Sequence, residues 1–445
     1  MPSLSLQEAA TATAVCAAVA LLGSAFFLAF FFSQNITRGS CSPSFWLDKL
    51  CVNQAEPSLK EIAIASFPVF LSQSSQMLVL WDEEYFGRLW CNLELAAFAS
   101  SGHAPQKMQF VPAWLAPWLL ASICTDMISV SLLRVVWNTW TAETIATVVA
   151  ACTLWLSNHG LASSQISVLL SWTLMVGVGS VSYYVTALPT VVSTLMKVQR
   201  HGGMLEQMAQ FDIREASCKV EADRTIVEEK IGELFEAGFA LTPKGGGPPV
   251  PLESPYCTPL LQDMESRLAG RDPLESFNAY VRGPLRDIVL DKVGSERHVP
   301  YHLALASTLP MILYALVDLL SCSGMSCQDA AESMKSRSLL HFALTLSAFW
   351  LVNILLIFPV VPPILFGLLG FVCSITSSTG LRLLLGTQCI FLLFTYAFLS
   401  SGLVFGLLVL TASGEVQWLA PLLLVVALLG TQLHVTFWRS RQHQR

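Results

Sequence analysis

Long apolar runs constrain this chain more than any other feature. A helix needs about 20 apolar residues to cross a hydrocarbon core of about 30 Å. Backbone in lipid must satisfy its own hydrogen bonds, which leaves helices and closed barrels. The runs fall near 10–32, 111–133, 144–160, 166–187, 302–321, 339–359, 362–378, 383–411 and 417–437. The run at 144–160 is short, and the one at 362–378 opens with Pro362-Pro363. Composition agrees: 53% of residues are hydrophobic and 13% charged, where a soluble chain carries about a quarter charged. The expected fold is mainly α, a polytopic α-helical membrane protein of eight to ten spans, with one small α/β module outside the bilayer.

Charge sets the expected orientation. The flank MPSLSLQE lacks Lys and Arg, and the run after it is too long for a signal-peptide core, so 1–33 reads as a signal-anchor helix. Arg38, Lys49 and Lys60 follow it, which places residues 34–109 in the cytosol. The loop 197–300 holds 13 of the 25 Lys and Arg residues and also reads as cytosolic, as does the basic tail 439–445. Three candidate spans separate module from loop, an odd number, so one of them should not cross; 144–160 is the first choice and 111–133 the second. The net charge of −6 leaves no basic footprint for nucleic acid. The twelve cysteines show no zinc spacing, and Cys322 and Cys327 are a possible local disulfide. Asn35-Ile36-Thr37 is a glycosylation pattern on the expected cytosolic side and reads as chance.

The expected order is anchor 1–33, module 34–110, membrane helices 111–196, soluble helical region 197–300, membrane helices 301–438 and tail 439–445. In the module, Phe45–Val52 reads as a strand and Leu59–Leu71 as a helix interrupted by Pro68. The continuous run Met77–Trp81 suggests a buried parallel strand, followed by a helix over Phe86–Phe98. In the loop, Ala222–Phe239 is an amphipathic helix presenting Val227, Ile231, Leu234 and Phe235. Asp272-Pro273 opens another helix, disturbed at Gly283-Pro284 and ended by Gly294. These two helices are expected to pack on the membrane domain.

The module concentrates polar and aromatic chemistry: Trp46, Asp48, Asp82, Glu84, Arg88, Trp90 and Glu94. Its segments FWLDKLCVNQ, MLVLWDEEYF and Trp90-Cys91-Asn92-Leu93-Glu94-Leu95 resemble the plant-type Toll/interleukin-1 receptor (TIR) family over residues 44–110. The chain also looks like multi-pass proteins of unicellular eukaryotes that join such a segment to membrane helices. The TIR resemblance implies an α/β module that acts by interaction or self-association. In active members it also implies NAD cleavage, with Glu94 at the position of the catalytic glutamate. A carboxylate there can bind ribose hydroxyls and stabilise an oxocarbenium-like transition state, with Trp90 one turn away. The module departs from the family at its start, where the 10–32 anchor stands in place of the first strand and helix, and at its end, which runs into the next apolar segment.

Residue by residue, Trp46, Trp81 and Trp90 read as packing groups and Asp82–Glu84 as a solvated turn, with Arg88 able to pair with Glu84. No metal site and no bound cofactor is expected; NAD enters only as a substrate. Asp126, Asp318, His341, Asn353 and Arg382 lie in or beside apolar runs, where ionisable groups often mark ion pathways. Asp126 and Asp318 could each accept from Arg382, which opens a transporter or channel reading. The expected partners are the lipid bilayer and a protein, another copy of this chain included. The leading expectation is a multi-pass membrane protein whose cytosolic module is an interaction element presenting its helix and sheet edge; NAD cleavage and transport are the alternatives.

Overall fold

The computed structural model describes residues 66–101, 107–140, 164–218, 221–236, 272–320, 325–333 and 338–439, with isolated positions between them. The strand expected at 45–52 and the runs at 10–32 and 144–160 lie outside these segments. Along the described chain run α1 (Phe67–Gln73), β1 (Met77–Trp81), α2 (Leu89–Ser100), β2 (Met108–Pro112), α3 (Leu115–Trp140) and α4 (Ser164–Gly177). Then come α5 (Ala187–Ala209), α6 (Glu221–Glu236), α7 (Pro273–Tyr280), α8 (Arg286–Lys292), α9 (Tyr301–Ser307) and α10 (Leu309–Leu320). The last are α11 (Met325–Ser333), α12 (Leu339–Val352), α13 (Val361–Ile375), α14 (Thr379–Ala412) and α15 (Leu419–His434). Contacts divide the chain into two compact units, one of residues 43–115 and 199–295, the other including 116–198 and 296–445.

In the first, α/β unit, β1 and β2 pair in parallel from Met77 opposite Met108 to Trp81 opposite Pro112. Met77, Val79 and Trp81 face the core, while Leu78 and Leu80 face out. The continuous apolar run had suggested burial on both faces; only one is covered. The helix expected over Leu59–Leu71 is broken at Ser66, and α1 begins there with Pro68 in its first turn, where a missing N–H costs nothing. α2 starts later than expected because Asp82–Arg88 form a turn. The Asp82 carboxylate accepts from the Glu84 amide at 3.1 Å and from the Arg88 guanidinium at 2.8 Å. Arg88 therefore pairs with Asp82, not with Glu84.

Leu89, Asn92, Leu93 and Leu95–Ala99 of α2 are buried, so this helix is the centre of its unit rather than an exposed element. α6 packs against both α2 and α7, burying Val227, Ile231 and Phe235. Ser217 bridges to the start of α2, its amide donating to Gly87 O at 2.7 Å while the Leu89 amide donates to Ser217 O at 3.1 Å. Lys292 Nζ donates to Met108 O at 2.8 Å. The helices of the long loop thus complete the α/β unit. Asp272 caps α7 with Pro273 in the first turn, a π-turn spans Val281–Leu285 around Pro284, and Gly294 ends the run at φ 92°.

The second unit is helical. Among the described residues five helical segments are long and apolar enough to cross a membrane, and α9–α10 makes a sixth if this pair, bent by 59°, is one span. The span expected at 111–133 starts at Leu115, because residues 111 and 112 belong to β2. The runs at 339–359 and 362–378 are one segment, Leu339–Ile375, not two spans joined by a turn. A π-turn at Asn353–Ile357 and a 3-10 turn at Phe358–Val360 carry the helix into α13. Pro359 lies in the 3-10 turn, and Pro362 and Pro363 fall where α13 begins, so none stops the chain. α4 and the 3-10 turn Val178–Tyr183 run antiparallel along α14, and α5 meets it at Val191. A Cβ on Gly406 would meet Leu169, on Gly402 Thr173, on Gly177 Leu399 and on Gly386 Val191. Tyr183 stacks on Phe394 at 4.0 Å between ring centroids. Small residues let helices approach closely where lipid removes the hydrophobic drive to associate.

Candidate functional site

Glu94 lies one turn after Trp90 on α2, and both are half-buried. The turn before α2 buries Tyr85, whose hydroxyl donates to Cys91 O at 3.5 Å. Burial, then the Glu94 charge, hold the Tyr85 phenol above its ordinary value, against the pull of Arg88. The Arg88 guanidinium stands 5.9 Å from the Tyr85 ring centroid. Asn92, on the buried side, donates to Phe86 O at 2.8 Å and to Arg88 O at 3.1 Å, which fixes the turn. The arrangement sets a carboxylate, a buried un-ionised phenol and an indole on adjoining turns.

Other residues singled out from the sequence pack or pair within this unit. Trp81 is fully buried, edge-on to Phe86, Phe110 and His201, which bears out its reading as a packing residue. Glu83 pairs with Arg200 at 3.4 Å, and Gln207 donates to the Glu83 carbonyl. Among the described residues no three His, Cys, Asp or Glu side chains are grouped to hold a metal. Trp46 and Asp48 lie outside those residues.

In the helical unit the three groups suggested as an intramembrane site are separate. Arg382 donates to Thr376 O at 2.7 Å and Cys373 O at 3.3 Å. It closes the end of α13 and pairs with neither aspartate, because the preceding carbonyls lie within its reach first. Asp318 accepts from Trp350 Nε1 at 3.1 Å. Asp126 shares a face of α3 with Ser129, Val130 and Leu133, all three buried. The Ser129 and Thr186 hydroxyls meet at 2.6 Å. Asn353, buried at the π-turn, donates to Phe349 O at 2.8 Å and accepts from Ser401. The His341 amide donates to the Ser338 hydroxyl that caps α12.

Sequence reasoning missed Lys197 as a buried group. Its Nζ donates to Glu296 O at 2.8 Å and lies 4.1 Å from the Phe366 ring centroid. Position 197 had counted only as a positive charge near a membrane end. The helical spacing of Thr186, Thr190, Thr194 and Lys197 was the available signal. Cys327 is disulfide-bonded; Cys322 lies outside the described residues. No family model, no curated protein and no solved structure matches this chain.

Proposed function

We propose that the chain is an integral multi-pass membrane protein whose α/β unit is a cytosolic, TIR-like interaction element that self-associates through its sheet. The observation behind this reading is the outer face of β1. Leu78 is 45% exposed and Leu80 66%, beside a fully buried Trp81, and Val111 of β2 lies on the same face. Exposed apolar side chains grouped on one face form a patch on which another copy can pack. The docking element is the sheet, since α2 is buried. Full-length protein in detergent is expected to form a concentration-dependent dimer by light scattering, and Leu80→Glu to shift it to monomer. A wild-type chain that stays monomeric throughout sinks the self-association.

Connectivity supports the orientation. Residues 43–115 and 199–295 form one unit, so an even number of crossings separates them; among the described residues Leu115–Leu133 and Gln165–Tyr183 supply two. Disulfides persist on the oxidising side of a membrane, so a bonded Cys327 supports a reading in which α9–α10 crosses once. Leu339–Ile375, Thr379–Ala412 and Val416–Trp438 then return the basic tail to the cytosol.

Glu94 beside the Tyr85 phenol and Trp90 favours a second reading, cleavage of NAD at the nicotinamide–ribose bond. The purified full-length protein would then consume NAD, and Glu94→Gln would not. Absence of turnover in a folded, monodisperse wild-type protein excludes it.

A further inference from the structure

The last membrane segment carries a file of exposed side chains that leads to an indole. Leu424, Leu428, Thr431, Val435 and Trp438 stand three, four or seven residues apart along it and are all exposed, so helical spacing sets them on one side. From Leu424 to Trp438 the file runs about 21 Å at 1.5 Å per residue, more than the roughly 15 Å of hydrocarbon in one leaflet. The Thr431 hydroxyl donates to Ala427 O at 2.8 Å, so its polar hydrogen is satisfied within the helix. Trp438, 47% exposed, closes the file. Tryptophan is enriched at the depth where hydrocarbon gives way to head groups.

Rings and a cation gather near that indole. Trp438 stacks on His434, one turn back, at 6.0 Å between centroids, and lies 6.3 Å from Tyr301, where α9 begins. Phe437 is buried against Tyr301 at 5.3 Å and His298 at 5.8 Å. These contacts hold the segment before α9 to the end of the last membrane segment, and Lys197 Nζ fixes the same segment by donating to Glu296 O at 2.8 Å. Arg297, within it, packs on Gly370 of α13, where a Cβ would meet its Nε at 3.0 Å. The Arg297 side chain is 57% exposed, and its ion pair is loose, 3.7 Å to the carboxylate of adjacent Glu296. Such a pair contributes little and leaves N–H donors for a second anion. The sequence at the end of the chain, RSRQHQR, adds three arginines and no acid.

We propose that Arg297, Tyr301, His434 and Trp438 form a binding site for an anionic phospholipid. The Arg297 guanidinium takes the phosphodiester, for which its planar fork of donors is suited. The rings of Tyr301, His434 and Trp438 sit beside the glycerol, and an acyl chain follows the exposed file towards Leu424. Positive charge selects the acidic head group: Arg297 and the three arginines of the tail stand against Glu296, and juxtamembrane clusters of about four basic residues favour acidic lipid. The inference rests on the helical unit spanning a bilayer, not on which side either end faces.

The test is tryptophan quenching of the full-length protein in neutral-detergent micelles, titrated with phosphatidylglycerol or phosphatidylcholine brominated at the same chain carbons. Half-maximal quenching should need about fivefold less phosphatidylglycerol. Arg297→Gln should erase most of that advantage, Arg297→Lys should keep most of it, and Arg441→Gln with Arg445→Gln should only lower it. Trp438→Phe should lose the part of the quenching that favours the acidic lipid. Inorganic phosphate at matched ionic strength should not displace the lipid; displacement marks a soluble-phosphate site and overturns the proposal. So does equal quenching of wild type by both lipids, or an undiminished preference in an Arg297→Gln protein that elutes and melts like wild type. Should Arg297→Gln fail to fold, Trp438→Phe decides, since a preference unchanged without that indole places the lipid elsewhere. No quenching by either lipid overturns the membrane reading as well.

Discussion

Asn278 uses its whole amide inside the α/β unit. Its Oδ1 accepts from the Ile213 amide at 2.9 Å, and its Nδ2 donates to Asp212 at 3.0 Å and Glu275 at 3.1 Å. Asn278→Leu keeps the volume but strands a buried N–H, which costs about 1–3 kcal/mol; hydrogen exchange at Ile213 should speed up accordingly. Asp212 is the pH-sensitive member of this network. Burial pushes its carboxyl up, but the Arg214 amide, Asn278 and the charges of Arg214 and Arg282 together hold it below the ordinary carboxylate value. A depressed value contributes stability above the unfolded pKa of about 4, lost as pH falls through the folded value. Exchange protection of the α/β unit should therefore drop below about pH 4, and Asp212→Asn should flatten that acid limb. The cap at Asp272 was legible because an N-cap depends on neighbours in sequence. The partner of Arg88 was not, because it depended on whether Asp82–Arg88 formed a helix or a turn. Lys197 was hidden for the same reason, its burial being decided by Phe366 and Glu296, distant in sequence.

At the scale of elements, the tightest join is that of α4 with α14. A Cβ on Gly402 would lie 2.6 Å from Thr173 O and 2.7 Å from its Cα, and backbone cannot step aside as a side chain can. Gly402→Val should cost about 1–3 kcal/mol as overpacking, seen as earlier thermal unfolding in detergent. Gly430→Ala is the control: a Cβ there meets nothing within 4 Å, and alanine favours the helix by about 0.5–1 kcal/mol, so that variant should melt no earlier than wild type. Most helix limits were readable from periodicity, as with Val227, Ile231 and Phe235 on α6. The division at Pro359–Pro363 was misread. Prolines end a helix only where their N–H or ring space is needed, and here the π-turn and 3-10 turn had already rearranged the bonding. The apolar run of β1 could not tell one covered face from two, since the cover comes from elsewhere in the chain.

The whole molecule turns on a parity that sequence alone left unresolved. Three candidate spans between module and loop made their shared side impossible, and five after the loop would have left the tail opposite it. Joining Leu339–Ile375 into one segment removes one of the five. Under the proposed orientation the α/β unit, drawn from chain before and after the first membrane segment, calls for an even count between its two parts. With the native cysteines replaced, single cysteines at Lys107 and Glu221 should both resist a membrane-impermeant maleimide in sealed vesicles with the cytosolic face inside and react after permeabilisation, whereas one at Gln328 should react from the start. Unequal behaviour of the first two refutes the arrangement. The discontinuous α/β unit also has a cost in time. Ribosomes add about 5–20 residues per second, so β1, α2 and β2 wait roughly 10–35 s at that rate before α6, α7 and α8 emerge to close over them. During that interval an apolar half-unit hangs from a helix already being inserted. Biogenesis, more than equilibrium stability, is where this architecture is exposed: slowing synthesis between residues 116 and 295 should raise the share of chains held by chaperones or degraded, with the finished protein no less stable than before.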